Sequence, residues 1–195
     1  MYEVEAIDMP LIPGQRKPSF APVNIEVGPE ATLVTAVIGG NHDQFARLYD
    51  LYAPLVHGIL LARVPRNEVD DLVQDIFLHA LKKLHTLRDR AAFGPWIAMI
   101  ARNRAMDFYR RSHETVEVTE DLRSTDTSGS KAIEMLEIVR SLPDAYRETL
   151  VLRLVEGMTG HEIAARTGLT PASVRVNLHR GMKLLREKLG FREGL

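Results

Sequence analysis

Between Thr159 and Leu189 the sequence writes out a helix, a sharp turn and a second helix, and this stretch constrains the fold more than any other. Thr159 followed by Glu162 forms a capping box, in which the hydroxyl accepts from the Glu162 amide and the carboxylate reaches back to the Thr159 amide. Ile163, Ala164 and Ala165 supply one apolar and two small positions where helices can approach closely. Gly168 offers the left-handed backbone needed to leave the helix. Thr170 caps the next helix, and Pro171 suits its first position because the missing amide hydrogen would be an orphan there.

At 100° per residue, Val174, Leu178, Gly181, Leu185 and Leu189 fall on one stripe of the second helix. Arg175, Val176, His179, Arg180, Lys183 and Arg186 lie around the other side. Between Pro171 and Arg192 there are six Lys or Arg against one Glu, in a chain whose total charge is -1. Such a helix suits the major groove of DNA: arginine can pair with guanine edges, the Val176 methyls can touch thymine, and lysine can neutralise phosphate. A solvated basic helix of a bundle would explain the charge but not the capped turn in front of it.

The remainder of the chain reads as helical too. Phe45, Leu48, Tyr49, Tyr52, Leu55, Val56 and Ile59 follow 3-4 spacing, with a kink or restart expected at Pro54, and Gly39-Gly40-Asn41 ends a short preceding helix from about Thr32. A second helix carries Val69, Leu72, Val73, Ile76, Phe77, Ala80, Leu81 and Leu84 on one stripe and Glu68, Asp70, Asp71, Gln74, Asp75 and His79 on the other. Its acid-first order, ending in Lys82 and Lys83, suits the helix dipole. A third helix from about Pro95 points Trp96, Ile97, Ile100, Ala101 and Phe108 inward and gathers Arg102, Asn103, Arg104, Arg110 and Arg111 toward its C-terminal part. Basic groups interleaved with Asn103, Phe108 and Tyr109 suit the grip of a DNA strand.

The fold expectation is therefore all-α: two small helical domains joined by a flexible linker, the C-terminal one a helix-turn-helix. Charge marks the division, with -3 over residues 1–40, +3 over 41–112, -4 over 113–141 and +3 over 142–195. Residues 113–132 are read as the acidic linker, since the run Ser124 to Ser130 cannot bury enough apolar surface to order itself. Residues 1–29 hold Pro10, Pro13, Pro18, Pro22 and Pro29 and read as an extended tail. The chain has no cysteine, which excludes disulfides and cysteine-ligated zinc. No apolar run approaches the ~20 residues of a membrane span and no signal-peptide profile opens the chain, so the expectation is a soluble cytoplasmic protein without a membrane segment.

The order of these features resembles a known family. Asp70-Asp71-Leu72-Val73-Gln74-Asp75-Ile76-Phe77, then Trp96-Ile97-Ala98-Met99-Ile100-Ala101-Arg102-Asn103, then Leu142-Pro143 with Glu162-Ile163-Ala164 and Val174-Arg175, resemble the extracytoplasmic-function (ECF) group of bacterial RNA polymerase sigma factors, over residues 30 to 190. The resemblance implies region 2 at residues 30–112, binding core polymerase and the -10 element, and region 4 at 133–195, reading the -35 element. It places Asp71, Gln74, Asp75 and Phe77 against core RNA polymerase. It assigns Arg102, Asn103, Asp107, Arg110 and Arg111 to the -10 element, where a base is flipped from the stack at a cost of a few kcal/mol. Ser173, Arg175, Val176, Asn177, His179, Arg180 and Lys183 fall to the -35 element. Promoter DNA and core polymerase are the implied partners, with room for an anti-sigma protein. No catalytic residue, cofactor, metal or small-molecule substrate is implied, and the chain is not expected to be an enzyme.

Two rivals compete with this expectation. Asp70, Asp71 and Asp75 could hold magnesium and a diphosphate as in isoprenoid synthases, but a hard-cation site needs more oxygen ligands and no second aspartate-rich run exists. A helix-turn-helix regulator acting on duplex DNA without polymerase is the other, and the helical stretch from Trp96 to Arg111 speaks against a strand-containing sensor domain. His161 lacks the second histidine of a zinc-protease helix and reads as a surface residue. The tail from Ile7 to Val27, apolar and acidic, either stays inert or folds over a DNA-binding face.

Overall fold

The computed structural model describes residues 29–115 and 127–190, with side chains described at 30–110 and 132–190. The tail expectation for Ile7 to Val27 and most of the linker expectation lie outside these residues. Among the described residues eight α-helices follow in order: α1 (Pro29–Ile38), α2 (Asp43–Leu61), α3 (Arg66–Lys83), α4 (Phe93–Thr115), α5 (Thr127–Arg140), α6 (Asp144–Leu154), α7 (Gly160–Thr167) and α8 (Pro171–Lys188). No strand occurs among the described residues.

Local chemistry sets the boundaries. α1 ends where Gly40 takes φ 98°, a backbone that only glycine adopts freely. α3 starts directly after Pro65 in extended backbone and ends on Lys82 and Lys83. Two short 3-10 turns link α3 to α4, the second capped by the Asp89 carboxylate accepting from the Ala91 amide at 3.0 Å. α2 runs unbroken through Pro54, where a kink or restart was expected. Proline removes one rung of the hydrogen-bond ladder, but Tyr52, Leu55, Val56 and Ile59 are all buried on either side of it, so packing holds the helix together.

α2 is the central element. It packs on α1, α3 and α4, and Tyr52 meets Phe93 edge-on with ring centroids 4.9 Å apart. Burial, then the Glu30 carboxylate of α1, pushes the Tyr52 phenol far above its ordinary value. In the second group, α8 packs on α6 through Gly181, where a Cβ would lie 3.0 Å from Leu150 Cδ1.

The two groups are not held apart. α2 lies against α6 and α4 against α7, and one hydrophobic cluster runs from Val34 and Ile59 to Leu152, Ile163 and Leu185. α5 begins at Thr127, inside the stretch read from composition as linker. Its apolar residues Ile133, Leu136 and Val139 fall at helical spacing just beyond that polar run, and Val139 is buried.

Candidate nucleic-acid interface

The turn before α8 is built as its residues dictate. The Thr159 amide donates to Glu162 Oε2 at 2.8 Å and the Glu162 amide to Thr159 Oγ1 at 3.2 Å. The Thr159 amide and hydroxyl hold the Glu162 carboxyl below the usual carboxylate range. Gly168 takes φ 77°, and Thr170 Oγ1 accepts from the Ser173 amide at 3.1 Å. Ile163 and Ala164 are buried as expected; Ala165 faces solvent, since a helix of eight residues presents only one side to α8.

α8 then divides cleanly. Val174, Gly181 and Leu185 are buried, with Leu178 and Leu189 half-buried beside them. Arg175, Val176, His179, Arg180 and Lys183 are exposed, and Val176 keeps 40% of its surface free. Asn177 is half-buried at the packed edge. Ser173 is exposed, but its hydroxyl is bonded to Thr170 at 2.8 Å. Arg175, Arg180 and Lys183, with Val176 and His179 among them, therefore face outward from a helix capped by Thr170 behind the capped α7.

On α4 the basic residues take separate directions. Asn103 is exposed, and Arg110, also exposed, pairs with Asp107 at 2.9 Å. Arg104 reaches Asp75 of α3 at 2.8 Å, and the Arg111 side chain lies outside the described ones. Arg102 turns inward: its Nε and Nη2 donate to the Glu148 carboxylate at 3.1 and 2.7 Å. Glu148, only 5% exposed, also accepts from Arg63 Nη2 at 2.6 Å. Burial pushes the Glu148 carboxyl up, but the hydrogen bonds and charges of Arg102 and Arg63 outweigh it and hold the group below its ordinary value. Arg63 and Glu148 escaped the sequence reading, because 85 residues separate them and the only signal was a carboxylate opening the apolar run Glu148 to Leu154.

The face of α3 is as expected in part. Asp71, Gln74 and Asp75 are exposed, and Glu68 is half-buried. Phe77 is not on that face: it is 3% exposed, packed against Phe45 and Tyr49 at centroid distances of 6.2 and 4.6 Å. The helical angle that puts Phe77 beside Val73 carries it into the core. Gln74 and Asp70 line a groove with Tyr49, Pro54, His57 and Glu156, and His57 Nδ1 meets Glu156 Oε1 at 2.6 Å. Among the described residues no group of His, Cys, Asp or Glu is arranged to hold a metal ion, and no helix is long and apolar enough to cross a membrane.

Comparison with known proteins agrees with this layout. The family model "Sigma-70 region 2" matches residues 48–115, and "Sigma-70, region 4" matches residues 132–185. The RNA polymerase sigma factor CarQ of Myxococcus xanthus is 34% identical over 161 residues, which is 77% of this chain and 92% of CarQ. Two solved structures share the fold. CnrH in complex with the cytosolic domain of CnrY gives a TM-score of 0.61 at 23% identity, over 84% of this chain and 99% of that one. The sigma factor RpoE in complex with the anti-sigma factor NepR from Bartonella quintana gives 0.55 at 20% identity, over 76% and 98%. With both family models matched in order and a relative aligned over nearly its whole length, this chain belongs to the ECF group of the sigma-70 family of RNA polymerase sigma factors.

Proposed function

We propose that the chain divides its work at the two family regions, with residues 30–112 docking on core RNA polymerase and gripping the -10 element, and residues 133–195 reading the -35 element. A basic helix face held by two caps supports the second assignment: Arg175, Val176, His179 and Arg180 lie exposed where duplex base edges would meet them, and Lys183 suits a phosphate. Ser173, whose hydroxyl serves the cap, and half-buried Asn177 stand at the margin of that face. For the first assignment, Asn103 and Arg110 of α4 share a helix face with Met99 and Met106, both exposed large apolar residues that the sequence reading passed over. Apolar side chains between polar ones suit stacked or flipped bases of a single strand, with Asp107, Arg110 and Arg111 at one end of the row. Arg102 joins this set only when released from Glu148.

Core polymerase is assigned to Asp71, Gln74 and Asp75, an exposed acidic-polar face, with buried Phe77 supporting Tyr49 beneath it. A stand-alone duplex-binding regulator would need α6 to α8 but not a region 2 match over residues 48–115. The chain acts as a specificity subunit in the cytoplasm and not as an enzyme, and the anti-sigma protein in the RpoE complex supports a similar partner here. The observation that carries the reading is the exposed basic face of α8 behind its capped turn. Footprinting with reconstituted holoenzyme tests it. Protection at the -35 position that vanishes with Arg175→Ala and Arg180→Ala supports the reading, and unchanged protection sinks it.

A further inference from the structure

The methionines of this chain divide sharply by exposure. Of the seven, Met158 is buried and Met182 is half-buried against the core, whereas Met99 and Met106 of α4 keep 49% and 59% of their surface free. Met135 of α5, 40% exposed, is the one other exposed methionine among the described residues. We propose that Met99 and Met106 form a reversible oxidation site: a hydroperoxide converts their thioethers to sulfoxides, and the sulfoxides weaken the grip of α4 on the melted -10 strand. The inference rests on the assignment of α4 to the -10 element and adds a mode of regulation to it.

Three observations support it. First, the two side chains share one face with the polar groups proposed to hold the strand. Met99 and Met106 are about two helical turns apart, and Asn103 and Arg110 fall within about 40° of Met99 around the helix. All four are exposed, so a strand held by Asn103 and Arg110 covers both methionines. Second, both thioethers are open to a small oxidant from solvent, while Met158 is shielded by its packing. The sulfur lone pair attacks one oxygen of hydrogen peroxide, and an S–O bond forms as the O–O bond breaks. The departing hydroxide takes the proton of the transferred oxygen and leaves as water, so sulfur gives up two electrons and the peroxide is reduced. The chain has no cysteine, so no thiol of its own competes for the oxidant.

Third, the product opposes the contact that the reactant favours. A methionine side chain is apolar and adapts to the flat face of a base; its sulfoxide carries a strongly hydrated oxygen. Seating a base against that oxygen strips its water without returning a hydrogen bond, which costs binding. The change is reversible, because reductases specific for the two sulfoxide epimers restore the thioether.

The test oxidises the full chain with hydrogen peroxide, removes the oxidant with catalase, and only then adds untreated core polymerase. Mass spectrometry of peptides should find one added oxygen at Met99, Met106 and Met135 before Met158. Holoenzyme affinity for a fluorescent promoter fragment, left unpaired at -10 and taken from a promoter the chain initiates from, should fall on the order of 10-fold. Helix content and co-elution with core should not change, and treatment with both sulfoxide reductases should restore the affinity. Met99→Leu with Met106→Leu should stay within about twofold of its own untreated affinity after peroxide, since leucine keeps an apolar side chain without the thioether. Met135→Leu should lose affinity on oxidation as the wild type does.

Unchanged affinity with Met99 and Met106 both oxidised overturns the proposal, as does an equal loss in the double leucine variant. Should that variant lose helix content, a peroxide dose series on the wild type decides: a loss that tracks the oxidised fraction at Met99 and Met106 supports the site, and one that tracks another methionine overturns it. An untreated holoenzyme that binds no promoter fragment defeats the functional assignment instead, an outcome read before any oxidant is added.

Discussion

Gly58 of α2 lies so close to Leu152 of α6 that a Cβ on the glycine would stand 2.7 Å from Leu152 Cδ2 and 2.9 Å from Glu156 Cγ. Leu152 is fully buried and Glu156 is engaged by His57, so moving either aside disturbs a packed or bonded neighbour. Two effects oppose each other in Gly58→Ala. Helix propensity favours alanine by ~1 kcal/mol, and forcing an atom into a filled seam costs ~1–3 kcal/mol. The clash should win, lowering the urea midpoint. A raised midpoint would mean that the helices separate at this point more easily than their packing implies.

On α8, Arg180 and Lys183 are both exposed but are given different tasks. Arg180→Ala should cost ~1–3 kcal/mol at one -35 position and relax base preference there, whereas Lys183→Ala should weaken all sequences alike. Binding of holoenzyme to a set of single-base promoter variants separates the two. Equal losses on every promoter for Arg180→Ala would show that its register is misassigned.

The acidic face of α3 predicts that Asp71→Arg with Asp75→Arg blocks docking on core polymerase without unfolding. Asp75 pairs with Arg104, but both side chains are substantially exposed, so losing the pair costs at most ~1 kcal/mol. Gel filtration with core reads the docking and circular dichroism reads the fold. Normal co-elution of the double variant would remove the assignment of this face.

The seam should also respond to pH in a defined direction. The hydrogen bond to Glu156 raises the His57 pKa above its ordinary 6.5 despite partial burial, with the Glu156 and Asp70 charges adding to it and Arg66 opposing it. A raised folded value means that this pair stabilises fully below 6.5 and loses its contribution as pH climbs through the folded value. Glu148 behaves oppositely: its depressed value gives a contribution present above its ordinary 4.5 and lost only on acidification below that. Between about pH 6 and about pH 9 the trend therefore belongs to His57, and the urea midpoint should fall more in wild type than in His57→Gln. Parallel curves for the two proteins would show that the contact contributes nothing.

What the sequence discloses follows the range of the forces involved. The turn from Thr159 to Pro171 is local, each residue acting within four positions of itself, and its caps, its left-handed Gly168 and the two faces of α8 all stand as the spacing implies. Pro54 does not restart the helix, because buried neighbours on α2 hold both sides of it together. Phe77 belongs to the same motif as exposed Asp71, Gln74 and Asp75 but is buried, because its helical angle sets it beside Val73. The Arg63, Glu148 and Arg102 trio is the least legible part: its members stand 85 and 46 residues apart, and no periodicity joins them. Helix α6 mixes Glu148, Thr149 and Arg153 into an apolar run, so its faces emerge only once α2 and α8 lie on either side of it.

The most direct test of the central claim is run-off transcription from a promoter in the chain's own upstream region, using core polymerase with and without the purified protein. Specific initiation only when the protein is present, reduced by Arg180→Ala and abolished by Asp71→Arg with Asp75→Arg, is the predicted result. Tight binding of the protein to duplex DNA alone, with no initiation on active core, would contradict the account.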